Sequence, residues 1–231
     1  NFTFINLNLE DQKATKKALE NLNIDTVFHF AAYAAEGLSP FIRNFNYRNN
    51  VIASINVINY CVNNNCKLIF SSSMAVYGRE EPPFTENIAP KPIDPYGIAK
   101  FAVEMDIKQA SDQFGLRYNI IRPHNVLGVY QNIWDRYRNV IGIFINKTLN
   151  NKPILIYGDG EQTRAFSNIK YYMEPFQLLI DNHDNDTFNI GADKTWTIKE
   201  VAKMVQNIAK SHNLTSNIEC VEPRHEVKHA F

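Results

Sequence analysis

One stretch limits the possible folds of this chain more than any other: Lys67-Leu68-Ile69-Phe70-Ser71-Ser72-Ser73-Met74-Ala75-Val76-Tyr77-Gly78. Leu68, Ile69 and Phe70 form an apolar run suited to a buried parallel strand, and the run stops abruptly in serines. A plain core has no use for a serine cluster at the carboxyl end of a strand, whereas open α/β sheets build ligand crevices at that end. Downstream, Pro95-Tyr96-Gly97-Ile98-Ala99-Lys100 opens a helical segment with a tyrosine and a lysine four residues apart. On a helix that spacing puts both side chains on one face, able to reach a common point.

The rest of the chain alternates strands and helices around these two segments. Phe2–Leu7 alternates like a strand, and Leu9-Glu10-Asp11 opens an amphipathic helix carrying Ala14, Ala18, Leu19 and Leu22. Thr26–Ala32 is a second apolar run ending in small residues. These suit either close approach of a flat or phosphorylated ligand or tight packing of a helix on the sheet. A long helical stretch is predicted from about Pro40 to Asn64, then the serine strand, a proline-rich loop, a helix over Tyr96–Phe114 and a buried strand over Tyr118–Pro123. From about Val129 the alternation loosens into a charged aromatic loop (Ile133–Arg138), a helix over Val140–Leu149, a strand over Pro153–Tyr157 and a helix over Thr197–Lys210. The pattern is α/β, with a doubly wound parallel sheet. Residues 1–128 are assigned to it and 129–231 to a smaller interleaved part, with about 165–192 returning to the sheet.

Composition excludes several function classes. The 24 basic and 24 acidic side chains cancel, so no bulk field draws the chain to nucleic acid or anionic lipid. No run approaches the ~20 apolar residues of a membrane span, and the first residues lack a signal-peptide pattern. The three cysteines form no even framework, which favours a reducing cytoplasm. The chain opens at Asn1 inside a strand-like segment and closes at Phe231 without a stop signal, so a fragment of a longer protein is expected.

The serine strand, the YxxxK spacing, Arg122-Pro123-His124-Asn125-Val126 and Tyr157-Gly158-Asp159-Gly160-Glu161-Gln162-Thr163-Arg164 together resemble the extended short-chain dehydrogenase/reductase family, in its NAD-dependent epimerase/dehydratase type. The resemblance covers nearly the whole chain and is nearest to the nucleotide-sugar epimerase branch. It implies a Rossmann-like sheet in the order 3-2-1-4-5-6-7, with Phe2–Leu7 as the third strand and Thr26–Phe30 as the fourth. The two strands between them, with their G-x-x-G-x-x-G turn, would then lie upstream. Glycines 37, 78, 97, 115, 128, 142, 158, 160 and 191 do not supply that turn.

The resemblance also implies roles. Tyr96 is the expected acid/base. A free tyrosine holds its proton up to about pH 10, and the Lys100 cation one turn away favours phenolate. Lys100 would also bind the nicotinamide ribose, and Ser73 the reacting sugar hydroxyl. Asn8, Leu9, Phe30, Ala31, Ala32, Asn50, Ser71 and Pro123 complete the expected NAD site, Asn8 standing where the family carries Asp. Asn125, Asn139, Tyr157, Arg164 and Arg224 are the expected substrate contacts, the two arginines gripping the phosphates. The implied reaction is C4 epimerisation of a UDP-hexose through a 4-keto sugar, in a homodimeric enzyme. A 4,6-dehydratase would carry an acid just after the catalytic serine, where this chain has Met74 and Ala75. The alternative from another class is a non-catalytic nucleotide-sugar-binding remnant.

The sequence departs from the family after Arg164, where Asn168, Lys170 and Tyr171 replace an aromatic and paired acids, and at Gly128-Val129-Tyr130, where Gly-Pro-Arg is usual. His225-Glu226-Val227-Lys228-His229 matches the zinc-protease pattern, but a proline precedes it and no third ligand is evident, so no metal is assigned. His29 is expected to be a satisfied core histidine, and Cys61 and Cys66 plain thiols.

Overall fold

The computed structural model describes residues 2–135, 137–182, 184–223 and 229–230. In chain order its principal elements are α1 (Gln12–Leu19), β1 (Thr26–His29), α2 (Arg43–Tyr47), α3 (Ala53–Asn64), β2 (Lys67–Ser71), α4 (Pro95–Phe114), β3 (Tyr118–Pro123), β4 (Asn125–Leu127) and α5 (Val140–Leu149). They continue with β5 (Ile154–Tyr157), β6 (Thr163–Asn168), α6 (Met173–Asp181), β7 (Asp186–Ile190), β8 (Thr195–Thr197), α7 (Ile198–Ser211), β9 (Ile218–Val221) and β10 (His229–Ala230).

The chain divides into two compact units. The first is Asn1–Gly78, Ala89–Pro123 and Glu174–Asn189; the second is Arg79–Ile88, His124–Met173 and Ile190–Phe231. The division thus falls after Pro123 rather than after Gly128. The segment returning to the first unit is Glu174–Asn189, narrower than 165–192. The returning piece is α6 and most of β7, the helix and strand that add a fourth member to the sheet; β6 stays with the second unit's own strands.

The first unit is a Rossmann-like α/β layer. Its sheet runs β1-β2-β3-β7, with β1/β2 and β2/β3 parallel. The register sets His29 beside Phe70 and Ser71 beside Ile121, so three carboxyl ends align and the segments leaving them emerge on one side. Leu68, Phe70, Tyr118 and Ile120 pack with Val57, Cys61, Val103 and Ile107 of α3 and α4 into the main core. α4 has clear local causes. Asp94 caps it, Pro95 fits its first turn, and Gly115 adopts the left-handed conformation that ends it.

Two expectations need correction here. Phe2–Leu7 is not a strand: residues 2–8 have no regular structure, with Phe2 90% exposed. Alternation supplies a pattern, but a strand also needs a neighbouring backbone, and among the described residues β1 pairs with β2 alone. The stretch from Pro40 to Asn64 is not one helix either. A 3-10 turn holds Pro40, α2 follows, and a π-turn over Arg48–Ile52 precedes α3. Ser54 donates to the Asn50 carbonyl at 2.7 Å, drawing on the backbone acceptor that the wider turn loosens.

The second unit has its own core. β5 and β9 pair in parallel, and Phe144 of α5 and Val201 and Ala202 of α7 pack with Ile154 and Ile156. A second sheet orders β10-β6-β4, with β8 antiparallel to β6.

Candidate active site

The first turn of α4 is tied down from several directions. Asp94 accepts hydrogen bonds from the backbone of Tyr96 at 2.8 Å and of Gly97 at 3.0 Å, and Ser39 donates to Asp94 at 3.3 Å. Gly97 is required by packing: a Cβ there would meet the Ala75 carbonyl oxygen at 2.7 Å. The helix bearing Tyr96 therefore lies directly against the 3-10 turn Met74–Val76 that follows Ser73.

One turn further, Lys100 is 2% exposed and donates to the carbonyl of Ser71 at 2.6 Å. Its ammonium lies 4.7 Å from the centre of the Phe70 ring and 6.0 Å from that of Tyr96. Burial pulls the Lys100 amine down to about 7, and the nearby Glu104 carboxylate opposes that fall. Ser73 is half-buried in extended backbone and accepts from the Ala75 amide at 3.1 Å, which leaves its own proton to donate. The structure thus brings together the serine strand end, Tyr96 and Lys100.

The other expected cofactor contacts have varied settings. Phe30, Ala31 and Ala32 lie in the loop beyond β1, since the strand ends at His29; Phe30 is half exposed and its ring centre sits 5.3 Å from that of Phe176. Asn50 is buried with its amide committed: it accepts from Tyr33 at 2.8 Å and donates to Tyr33 and Asn46. It fixes the loop behind the alanines. The Asn8 side-chain oxygen accepts from Glu10 at 3.1 Å, and Asn8 lines an open cleft of about 460 Å³ with Glu10, Asn44, Phe45 and Arg48. Leu9 offers its carbonyl to Asn56 at 2.8 Å, and Pro123 ends β3.

The expected substrate contacts belong to the second unit. Asn125 donates to Ala165 at 3.0 Å; Asn139 caps α5 by accepting from Ile141 at 2.9 Å; Arg164 donates to its neighbour Thr163 at 2.8 Å. Tyr157 ends β5 on an exposed edge, and Arg224 lies outside the described residues.

Sequence reading did not single out a buried network behind the serines. Glu104, fully buried, accepts from Ser72 and from both arms of Arg122, at 3.0 and 2.6 Å. Arg122 also donates to Tyr77 at 2.8 Å, and Tyr77 donates to Asn189 at 2.8 Å. The signals were present: Glu104 continues the Tyr96–Lys100 stripe by another four residues, and Arg122 interrupts a buried strand.

His29 is the core histidine expected, 2.8 Å from the Ser54 hydroxyl, with burial pushing it down to about 3. Cys61 and Cys66 are free and buried. Of the zinc-protease pattern, residues 225–228 lie outside the described residues, while His229 sits in β10, 2.8 Å from Thr163. Among the described residues no group of His, Cys, Asp or Glu could hold a metal ion, and no helix is long and apolar enough to cross a membrane.

The NAD dependent epimerase/dehydratase family model matches residues 1–191. The chain belongs to that family. A UDP-glucose 4-epimerase from Thermotoga maritima, solved with UDP-glucose, superposes with a TM-score of 0.89 at 27% identity, covering 97% of this chain and 73% of its own. A UDP-N-acetylglucosamine 4-epimerase from Methanobrevibacter ruminantium, in complex with UDP-N-acetylmuramic acid, gives 0.85 at 32% identity, covering 94% and 69%. A human dTDP-D-glucose 4,6-dehydratase is 29% identical over 223 residues, 95% of this chain and 62% of its own. Epimerases and dehydratases thus both stand among the relatives, and the chain spans about two thirds of the length of the curated proteins it matches.

The family is NAD-dependent, and the residues present fit the nicotinamide end of that cofactor. Lys100 spends one of three donors on Ser71 and keeps others for a ribose hydroxyl. The alanines after β1 and Pro123 present little bulk at the aligned strand ends.

Proposed function

We propose that this chain carries the acid/base site of a nucleotide-sugar 4-epimerase acting on a UDP-hexose. The observation that carries the reading is the buried Lys100 ammonium, held 6.0 Å from the centre of the Tyr96 ring by the carbonyl of the serine strand. A fixed cation there favours the phenolate of Tyr96, the form that can take a proton from the sugar C4 hydroxyl. Ser73, whose proton is not used within its own turn, holds that hydroxyl. NAD, which Lys100, the alanines after β1 and Pro123 would hold, would supply the reversible hydride transfer at C4. Tyr96, by then carrying the proton, gives it back to the C4 oxygen. Arg164 and Arg224 carry the charge needed to hold the diphosphate, and Asn125, Asn139 and Tyr157 are the further substrate contacts of this reading.

Epimerisation is favoured over elimination because Met74 and Ala75, in the turn after Ser73, cannot move a proton at C5 or C6. The test uses the longest reading frame containing these residues, incubated with UDP-galactose and NAD and followed by proton NMR. UDP-glucose should form, and Tyr96→Phe should slow its formation by about 10²–10⁴-fold. A 4-keto-6-deoxy product would establish elimination instead. Binding of NAD and UDP-sugar with no turnover would establish the non-catalytic reading.

A further inference from the structure

We infer that Glu104 is a positioning residue which, paired with Arg122, clamps the strand end carrying Ser73 onto α4 and supplies the counter-charge for Lys100. The inference deepens the reading of the Tyr96–Lys100–Ser73 site and rests on it for its catalytic meaning.

The geometry is specific. Tyr96, Lys100 and Glu104 repeat every four residues along one stripe of α4. Lys100 reaches the end of β2 at the Ser71 carbonyl and Glu104 reaches the Ser72 hydroxyl just beyond it, so adjacent residues immediately before Ser73 are fastened to the same helix. On the far side of Ser73, Tyr77 is fastened to Arg122, whose guanidinium stacks 4.9 Å from the tyrosine ring centre. The segment from Ser71 to Tyr77 is therefore an arch, and both its feet stand on the Glu104–Arg122 pair.

Burial makes the charges interdependent. Arg122 and Glu104 side chains are 2% and 0% exposed, so neither can turn to water for compensation. Lys100 faces Tyr96 and Glu104 from its own helix, His29 from β1, the Phe70 ring and Ser71 carbonyl from β2, and Arg122 of β3 beyond Glu104. His29 is held neutral, so Glu104 is the anion in this set and Arg122 the competing cation. A side chain serving packing alone has no reason to place a carboxylate one turn from a buried lysine and then reinforce it with an arginine fork.

The experiment is a direct titration of Lys100 by side-chain NMR in the 231-residue chain, its signal assigned by loss in Lys100→Met. It needs no turnover, so its failure is separable from failure of the epimerase reading. Glu104→Gln leaves Arg122 uncompensated and should lower the Lys100 midpoint by about one pH unit. Arg122→Gln frees the carboxylate and should raise it. A merely structural pair would disturb both variants alike, so shifts in the same direction, or no shift in either, would overturn the inference. The double variant Glu104→Gln/Arg122→Gln strands neither member of the pair and serves where a single variant does not fold. Its midpoint should remain below wild type, because Glu104 is the charge that acts on Lys100; a midpoint at or above wild type would overturn the inference.

Discussion

The two units hold their candidate site side chains differently. In the first, ionisable groups are buried and bind one another or the backbone of a different element: Glu104 holds Arg122 and Ser72, and Lys100 holds Ser71. In the second, the candidate ligand contacts bind backbone, nearby for Arg164 on Thr163 and Asn139 on Ile141, and across strands for Asn125 on Ala165. Proton transfer needs atoms fixed to a fraction of an ångström, and such fixing comes from long-range bonds in a packed interior. Gripping a phosphate needs reach and charge, which an arginine side chain supplies.

The largest test of this contrast is kinetic. Tyr96→Phe should lower kcat by about 10²–10⁴-fold with little change in KM, since it removes the proton carrier but not the binding surface. Arg164→Ala should raise KM by about tenfold or more and leave kcat within a few-fold. Steady-state rates on the longest reading frame decide it. A fall in kcat for Arg164→Ala comparable to that for Tyr96→Phe would break the division of labour.

Next in size is the stability of the ion pairs. Arg122→Met strands the Glu104 carboxylate in the interior and should cost about 3–5 kcal/mol. Glu161→Gln breaks the exposed 3.5 Å pair with Lys199 in the second unit and should change stability by less than about 0.5 kcal/mol. Denaturant unfolding of both variants measures the difference.

What the sequence made legible follows the same line. The serine strand and the Tyr96–Lys100 spacing were readable because period and strand-end position are local properties. α4, α5 and α7 were readable because caps and apolar stripes are local too; Thr197 with Glu200 forms a complete capping box. The short strands β4, β8 and β9 were not predicted, because three or four residues carry too little pattern and take their form from a partner. Phe2–Leu7 failed for the converse reason, having the pattern but no described partner. Asn50 was placed on the cofactor wall, and the bonds of its amide to Tyr33 and Asn46 depend on a π-turn no spacing rule foretells. The Glu104–Arg122 pair joins a helix to a strand, and only the fold brings those together.

Acid should separate the units. His29, in the first, has a folded pKa of about 3 against 6.5 for the free side chain, so between those values the unfolded chain binds the extra proton. The stability it contributes is complete above pH 6.5 and is lost as pH falls toward 3, by about 1.4 kcal/mol per pH unit at most. Lys100 acts in the same sense at higher pH: with a folded pKa of about 7 against 10.5, its burial penalty is relieved as pH rises from 7 to 10.5. Amide-exchange protection of β1, β2 and β3 should therefore fall between pH 6.5 and 3 well before that of β5 and β9. His29→Gln should abolish the early loss, and equal loss in both sheets would remove the distinction.

The smallest expected effect compares two helix caps that do the same local job. Thr197 accepts from the Glu200 amide at 3.1 Å on the surface of the second unit, while Asp94 accepts from Tyr96 and Gly97 beneath the first turn of α4. Replacing either by alanine should cost about 1 kcal/mol in stability, because each loses a capping acceptor. Only at Asp94 does the bonded amide belong to the proposed acid/base residue, so only Asp94→Ala should also depress kcat. Asp94→Asn, which keeps an oxygen acceptor, should restore most of it. Thr197→Ala should melt earlier and turn over normally. If Asp94→Ala loses stability alone, then Tyr96 is held by its helix and not by its cap, and the fixing that distinguishes the first unit begins at Lys100.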